Sequence, residues 1–327
     1  MVSVCCATYN HEEYIENALQ GFVNQRTDFR FEVIVHDDAS TDKTRRIVEK
    51  FVSLYPDIFV PIYQEENQYT KGRGIVARHM FSRARGKYIA FCEGDDYWTD
   101  KGKLQRQYEI MESHEECSIC VHDIEQVLPD GRILPSLFKE RFQEGIVEKA
   151  KIAGLLWKEG QYPFHTSSYF IRKSVLQVRI DNREAFIRHM NGDMVNLRLC
   201  MFYGEFYYIN TVMSRRNRGV SGSWNERWAR KSFSEKVAYY KEFAEGEREF
   251  DKYSGYMFHE DIKFYIFSLV SECCVYDTNG IQQYLKDYPL SYKIVKDKAT
   301  MWLYLRYLIM RISPKIYQFL CKLKKGS

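Results

Sequence analysis

Three carboxylates crowd into four residues at Glu93-Gly94-Asp95-Asp96, with a glycine among them that permits a sharp turn. Like charges this close repel, and a fold gains nothing from the crowding by itself. A hard dication resolves it, because Mg2+ or Mn2+ takes oxygen ligands and commonly sits between carboxylates and phosphates. The motif runs on from Lys87-Tyr88-Ile89-Ala90-Phe91, a short apolar run of the kind that forms a buried strand. In extended backbone successive side chains point opposite ways, so Asp95 and Asp96 can divide two tasks. One holds a metal and the other accepts from a ligand hydroxyl. An acidic turn packed beside Tyr97 and Trp98 uses the same residues, and the local sequence does not separate these readings.

The elements ahead of this motif alternate in period. Val2-Ser3-Val4-Cys5-Cys6-Ala7 is a short apolar strand, broken by Thr8-Tyr9-Asn10. Asn10 and Glu13 have the spacing of a capping box, opening a helix with Tyr14, Ile15, Ala18, Leu19 and Phe22 on one face. A second strand over Phe31–His36 runs into Asp37-Asp38-Ala39-Ser40-Thr41-Asp42, and the next helix turns Ile47, Val48, Phe51 and Leu54 inward. Ile58 to Tyr63 makes a third strand, Ala77 to Ala84 a helix stopped by Gly86, and a fourth strand feeds Glu93. This alternation predicts a mostly parallel sheet with helices on both faces, whose ligands bind beyond the carboxyl ends of the strands. Thr8-Tyr9, Asp37-Asp38 and Glu93 to Asp96 all fall at such ends. There Tyr9 offers a ring face to a base, Asp38 can accept from a base N–H, and Asp95 can bond ribose hydroxyls. Helix capping also suits Asp38, although Asp42 fills that task one turn later.

Several function classes lose their support. No Gly-x-Gly-x-x-Gly follows the first strand, and no Gly-x-x-x-x-Gly-Lys-Ser/Thr occurs anywhere, so dinucleotide and P-loop sites lack their signature. A net charge of +4 is too small for a nucleic-acid footprint. The 25 tyrosines favour amphipathic surfaces for ligands or partners. Nine cysteines, two pairs of them adjacent (Cys5-Cys6 and Cys273-Cys274), sit mostly in apolar runs, as reduced thiols of a cytoplasmic protein do. The chain opens on a strand pattern without the basic region and apolar core of an export signal. No apolar run reaches the length of about 18 residues that a membrane span needs. Cys117, Ile119 and Val121 alternate like a strand with one buried face, and Cys117 and Cys120 with His114 and His122 lack a second pair at zinc-site spacing. Pro129-Asp130-Gly131 predicts a hairpin over 121–135, and Phe164 to Ile171 a further strand.

Taken together, Val2 to Asn10, Val33 to Asp42 and Phe91 to Trp98 resemble, in order and separation, the three opening motifs of family-two glycosyltransferases of the GT-A fold. The resemblance covers residues 1 to about 125. It implies a nucleotide-diphosphate-sugar donor, by family habit a UDP-sugar, and a divalent metal, Mg2+ or Mn2+. Carried onto matching positions, it gives the base to Thr8, Tyr9 and Asp38 with Asn10 beside them, and the ribose and metal to Asp95 and Asp96. Glu93 stands where many relatives carry the first aspartate of Asp-x-Asp. Arg73 and Arg78, ahead of the fourth strand, are candidates for neutralising a phosphate. His165 is a minor candidate for acceptor contact.

Asn191-Gly192-Asp193 precedes a helix with Val195, Leu197, Leu199 and Cys200, and the strand Glu205 to Asn210 follows. Asp193 fits a helix N-cap, while the resemblance puts the general base at this Gly-Asp. An inverting sugar transfer needs one carboxylate to take the acceptor proton and no second one as nucleophile. A capping carboxylate still has an oxygen for that work. Val212 to Trp224 reads as a flexible basic loop, expected to close the site as a lid. Arg216 matches the arginine of the relatives' Tyr-Arg-x-His, and Arg218 replaces the histidine, exchanging a metal ligand for a fixed cation. Their expected role is to clamp the leaving diphosphate.

The expected architecture is therefore a GT-A α/β domain, Rossmann-like, with a helical C-terminal extension. Residues 1–125 form its nucleotide-sugar half, 126–230 its acceptor half and 231–327 the extension. Helices are expected at Lys231 to Glu245, Phe258 to Val275 and Ile281 to Lys286. A last one runs from Met301 to Met310 and through Pro314 to the basic Lys322-Leu323-Lys324-Lys325. Its apolar face suits core packing, a homodimer contact, or peripheral contact with the anionic inner face of a membrane. The expected activity is inverting, metal-dependent hexosyl transfer to a glycan or lipid-linked acceptor in cell-envelope polysaccharide synthesis. A sugar nucleotidyltransferase would carry a Gly-rich, Lys/Arg-bearing loop where Thr8-Tyr9-Asn10-His11 stands. A non-catalytic binding module would be expected to have lost Asp95, Asp96 or Asp193.

Overall fold

Strands β1 (Val2–Thr8) and β2 (Phe31–Asp37) are buried along almost their whole length, as strands covered on both faces must be. In this computed structural model, residues 1–136, 138, 140–181, 184–273, 298–313, 315–317 and 319–320 are described. They fall into two compact units, Met1–Ile152 with Tyr162–Arg230, and Ala153–Gln161 with Lys231–Ser327. In the first unit β1 and β2 continue into β3 (Phe59–Tyr63) and β4 (Tyr88–Phe91) through helices α1 (Ile15–Val23), α2 (Thr44–Leu54) and α3 (Ile75–Phe81). Then come β5 (Asp96–Trp98), α4 (Lys103–Ser113), β6 (Cys117–Val127), β7 (Ile133–Leu134), β8 (Gly145–Val147), α5 (Lys149–Ala153) and β9 (Phe170–Arg172). Helices α6 (Gln177–Asp181), α7 (Ala185–His189) and α8 (Gly192–Tyr203), strand β10 (Glu205–Asn217) and helix α9 (Trp224–Arg230) complete it.

The sheet runs β3-β2-β1-β4-β9-β6-β10-β5, with β7 on β6 and β8 on β10. Its first four strands are parallel, β9 is antiparallel to both neighbours, and β10 is parallel to β6. The expected α/β class with helices at the C-terminal end holds, and the sheet is mixed in its second half. Alternation divides the core. Val2, Val4 and Cys6 pack with α1 (Ile15, Leu19 and Phe22), α2 and α4 on one face. On the other, Phe91 meets Phe81 of α3 edge-on at 5.7 Å.

Four local expectations fail for tertiary reasons. Asn10 does not cap α1, which starts at Ile15 behind Tyr14 without a side-chain cap. Instead Asn10, at φ 54°, accepts from Thr41 N–H at 2.8 Å and donates its own N–H to Ser40 Oγ at 3.0 Å, lacing the β1 and β2 loops together. Leu54, expected inward at the end of α2, is 61% exposed. The strand expected over Phe164 to Ile171 shrinks to β9, because Thr166–Ser168 form a 3₁₀ turn in which Ser168 Oγ donates to His165 O at 2.6 Å. Val212 to Asn217 are not loop but the end of β10, a strand of 13 residues held between β6 and β5. The hairpin forms, with Gly131 N–H donating to Leu128 O at 2.8 Å.

The second unit contains α10 (Phe233–Tyr253), α11 (His259–Cys273) and a helix over Lys298–Ile312. Ser232 and Glu235 form a capping box at the start of α10. Trp157 is buried against Phe258, with ring centroids 5.1 Å apart. The helix expected at Ile281 to Lys286 and the basic run Lys322 to Lys325 lie outside the described residues.

Candidate functional site

Register brings the motifs together. Thr8 pairs with Asp37 and Cys5 with Phe91 across parallel strands, so all three strand ends open on one side. Gly94 crosses directly over Thr8, donating its N–H to Ala7 O at 2.9 Å; a Cβ there would meet Thr8 Oγ1 at 2.6 Å. Only glycine allows that approach. The chain then turns into β5, which pairs antiparallel with the end of β10, Asp96 opposite Arg216. Residues directly opposite share a face, so Arg216 and Asp96 project to the same side. Asn217 fixes the pair: its backbone N–H donates to Asp96 Oδ1 at 3.1 Å and its side-chain amide to Asp95 O at 2.6 Å.

Glu93, Asp95 and Asp96 each offer a carboxylate oxygen within 4.8 Å of the others. Asp96 is buried, and its carboxyl lies well above the usual carboxylate range. Lost hydration is the first cause and the charges of Asp95 and Glu93 the next, against the pull of Arg216 and the Asn217 N–H. Glu93 keeps solvent access at the rim, yet its carboxyl is pushed up to about 8, by lost hydration first and by Asp95 and Asp193 next. Three hard oxygen donors that repel one another and favour an added positive charge are a suitable donor set for a divalent cation. His165 joins them from the 3₁₀ turn: its Nδ1 accepts from Ser167 N–H at 3.3 Å and lies 3.7 Å from Asp96 Oδ2. Burial and Arg216 hold that ring at about 3, so it is neutral.

Protonation of this rim is coupled to folding stability. Glu93 favours its protonated form when folded, so its contribution is complete below about 4.5 and is lost as pH rises through about 8. The metal-free protein should therefore lose melting temperature across that window. Added Mn2+ should restore it, with a gain that grows with pH. Melting curves in EDTA and in Mn2+ between roughly pH 5 and 8 check this, and a gain that is flat or absent removes the cation site.

At the other end of the rim Asp38 is buried, accepting from Gln68 N–H at 2.7 Å and Tyr69 N–H at 3.0 Å on its two oxygens. It thus anchors the turn Tyr69–Lys71, with one lone pair left on each oxygen. Thr8 is buried with Oγ1 3.2 Å from His11 Nδ1, and Tyr9 is exposed beside it. Arg73, expected at a phosphate, donates through Nη1 to the carbonyl of His189. Arg218 Nη1 donates to Gln126 Oε1 at 2.7 Å. Arg216 is the arginine of this strand whose charge acts on Glu93, Asp96 and His165.

Asp193 is not the cap of α8. Asn191 has that position, and Asp193 sits in the first turn, accepting from Met194 N–H at 2.9 Å. Its charge acts on Glu93 and Tyr169, which ties it electrostatically to the acid rim. Lost hydration raises its pKa against the Met194 N–H, the Tyr162 hydroxyl and Arg198, which strengthens it as a base. Sequence reasoning missed what aims it. Buried Arg179, stacked 5.1 Å over Phe81, donates to Gly192 O at 2.9 Å, while Arg73 holds the chain two residues before Asn191. Neither contact has a local motif.

A family model described as Glycosyl transferase family 2 matches residues 3–179. Rv1520, an uncharacterized protein of Mycobacterium tuberculosis, is 45% identical over 132 residues, 40% of this chain and 37% of that one. TuaG of Bacillus subtilis, a putative teichuronic acid biosynthesis glycosyltransferase, is 37% identical over 111 residues, 34% of this chain and 42% of that one. The matched region thus spans well under half the length of either relative. Among solved structures, S. aureus TarS 1-349 in complex with UDP-GlcNAc shares the fold with a TM-score of 0.62 at 19% identity, over 100% of this chain and 92% of that one. The mannosyltransferase PcManGT from Pyrobaculum calidifontis, in complex with GDP-Man and Mn2+, gives 0.51 at 15% identity, over 99% of this chain and 86% of that one.

Proposed function

Because this chain belongs to glycosyl transferase family 2, we propose that it is an inverting, metal-dependent hexosyltransferase that moves a sugar from a UDP-sugar to a hydroxyl of a glycan or lipid-linked acceptor. The observation that carries this reading is the rim itself, where Glu93, Asp95 and Asp96 crowd together within the electrostatic reach of Arg216 and Asp193. A divalent cation, Mg2+ or Mn2+, held chiefly by Asp96 with Asp95 and Glu93, would neutralise the donor diphosphate and the charge that develops as it leaves. Asp38 and Tyr9 hold the base between the laced loops that Thr8 and Asn10 build, and Asp95 also serves the ribose. Arg216 takes up leaving-group charge from the opposite strand. Asp193 accepts the proton of the acceptor hydroxyl, which attacks from the face opposite the diphosphate.

Residues 1–125 take the donor and 126–230 the acceptor in this reading. Arg73 and Arg218 act indirectly, by fixing the chain before Asp193 and the end of β10. UDP is supported by the TarS complexes with UDP-GlcNAc and UDP, and an envelope polysaccharide by the description of TuaG. Buried, unbridged Cys5, Cys6, Cys92, Cys117, Cys120 and Cys200 support work in the reducing cytoplasm. The test is a panel of UDP-, GDP- and dTDP-sugars, read as thermal stabilisation and slow hydrolysis with and without Mn2+. A UDP-sugar should stabilise the protein by several degrees only with metal. A panel in which no nucleotide sugar stabilises it ends the proposal, and a GDP-sugar optimum reassigns the donor.

A further inference from the structure

We propose that the helix over Lys298–Ile312, with the helical residues 315–317 and 319–320 after it, seats this chain on an anionic bilayer surface. Its two sides are unlike. Tyr307, Met310 and Tyr317 are buried, with Tyr307 edge-on to Phe267 of α11 at 5.7 Å and Arg306 Nη2 donating to the Tyr317 hydroxyl at 2.6 Å. That side is fixed within the helical unit. The other side of the helix carries Met301, Leu305 and Ile312, and the helical residues after it add Ile316 and Phe319, all exposed and recurring in steps of four, seven, four and three residues. Trp302, 65% exposed, and Leu320 widen the stripe, and Ile312 reaches 81%. A stripe of bulky apolar residues at helical spacing, left outward by a helix already anchored on its opposite side, is the form of a helix lying in a membrane interface. No described helix is long and apolar enough to cross a bilayer.

Charge decides between a lipid surface and a second copy of the chain. From Lys298 to Ser327 the sequence has seven Lys or Arg and no Asp or Glu. Arg311 and Lys315 are exposed beside the stripe. A two-fold contact lays the same stretch against itself, which would set these cations against one another with no carboxylate among its described residues to answer them. Anionic headgroups supply that answer, and the apolar stripe then enters the acyl boundary.

Flotation of the full chain with vesicles tests this. It should bind vesicles of equal phosphatidylglycerol and phosphatidylcholine, at least about tenfold better than phosphatidylcholine alone, and release in about 0.5 M NaCl. Trp302→Glu with Ile312→Glu should cut binding by about tenfold or more at an unchanged melting temperature. Arg311→Glu with Lys315→Glu leaves the stripe intact and should weaken binding to the anionic vesicles alone, so the proposal stays testable if the first variant misfolds. Failure to float with anionic vesicles, or equal binding to both compositions, overturns it. So does light scattering in which the stripe variant turns a dimer into a monomer while vesicle binding is unchanged.

Discussion

Asp193→Asn should lower turnover by roughly two orders of magnitude or more, while donor affinity and melting temperature stay close to the parent's. The substitution conserves shape, and an amide oxygen still accepts the Met194 N–H that Asp193 now holds at 2.9 Å. The start of α8 is also held by backbone contacts, from Arg179 to Gly192 O and from Arg73 to His189 O, whose acceptors the variant leaves in place. What the amide cannot do is take a proton. Since lost hydration raises the Asp193 carboxyl, the rising limb of kcat/KM should lie above the ordinary carboxylate range in the parent. In the variant that limb should vanish. Turnover within about threefold of the parent, with the limb in place, assigns the base elsewhere.

The parts of this site that were readable in the chain are those whose signal is local. Glu93, Asp95 and Asp96 announce themselves by crowding, and β1, β2 and β4 by apolar runs that end where the polar motifs begin. The end of β10 was unreadable, because Ser214, Arg215, Arg216 and Asn217 have the composition of a loop. They are strand only because β6 lies on one side and β5 on the other, with Ser214 buried against Ser167 at 2.9 Å. Asn10 shows the converse error. Its spacing to Glu13 is that of a capping box, but the Thr41 N–H across the sheet edge is the stronger claim on its side chain. Arg73 reaches a backbone carbonyl across 116 positions, which leaves no residue type to recognise, and Arg179 reaches Gly192 O and the Asn196 side chain across 13 and 17 positions, spacings that carry no motif. His165 is of the same kind, a lone histidine made relevant by a turn that draws it to Asp96.

Asp96→Asn should abolish the Mn2+ dependence of donor binding and at the same time raise the melting temperature of the metal-free protein. These two effects separate a metal ligand from a structural acid. Asp96 is buried beside Asp95 and Glu93, and its carboxyl lies well above the usual range because its charged form is disfavoured there. A neutral amide relieves that repulsion, while its oxygen can keep the Asn217 N–H now 3.1 Å away. The metal-free variant should therefore melt about 2 °C or more above the parent. With the central oxygen donor neutralised, the remaining pair should hold Mn2+ poorly, and UDP affinity in Mn2+ should fall by roughly a hundredfold. Calorimetric titration of UDP in Mn2+ and in EDTA, beside melting curves, reads both quantities. If Asp96 were only a structural acid, the variant would melt lower and still respond to Mn2+, and the cation would have to be held by other groups.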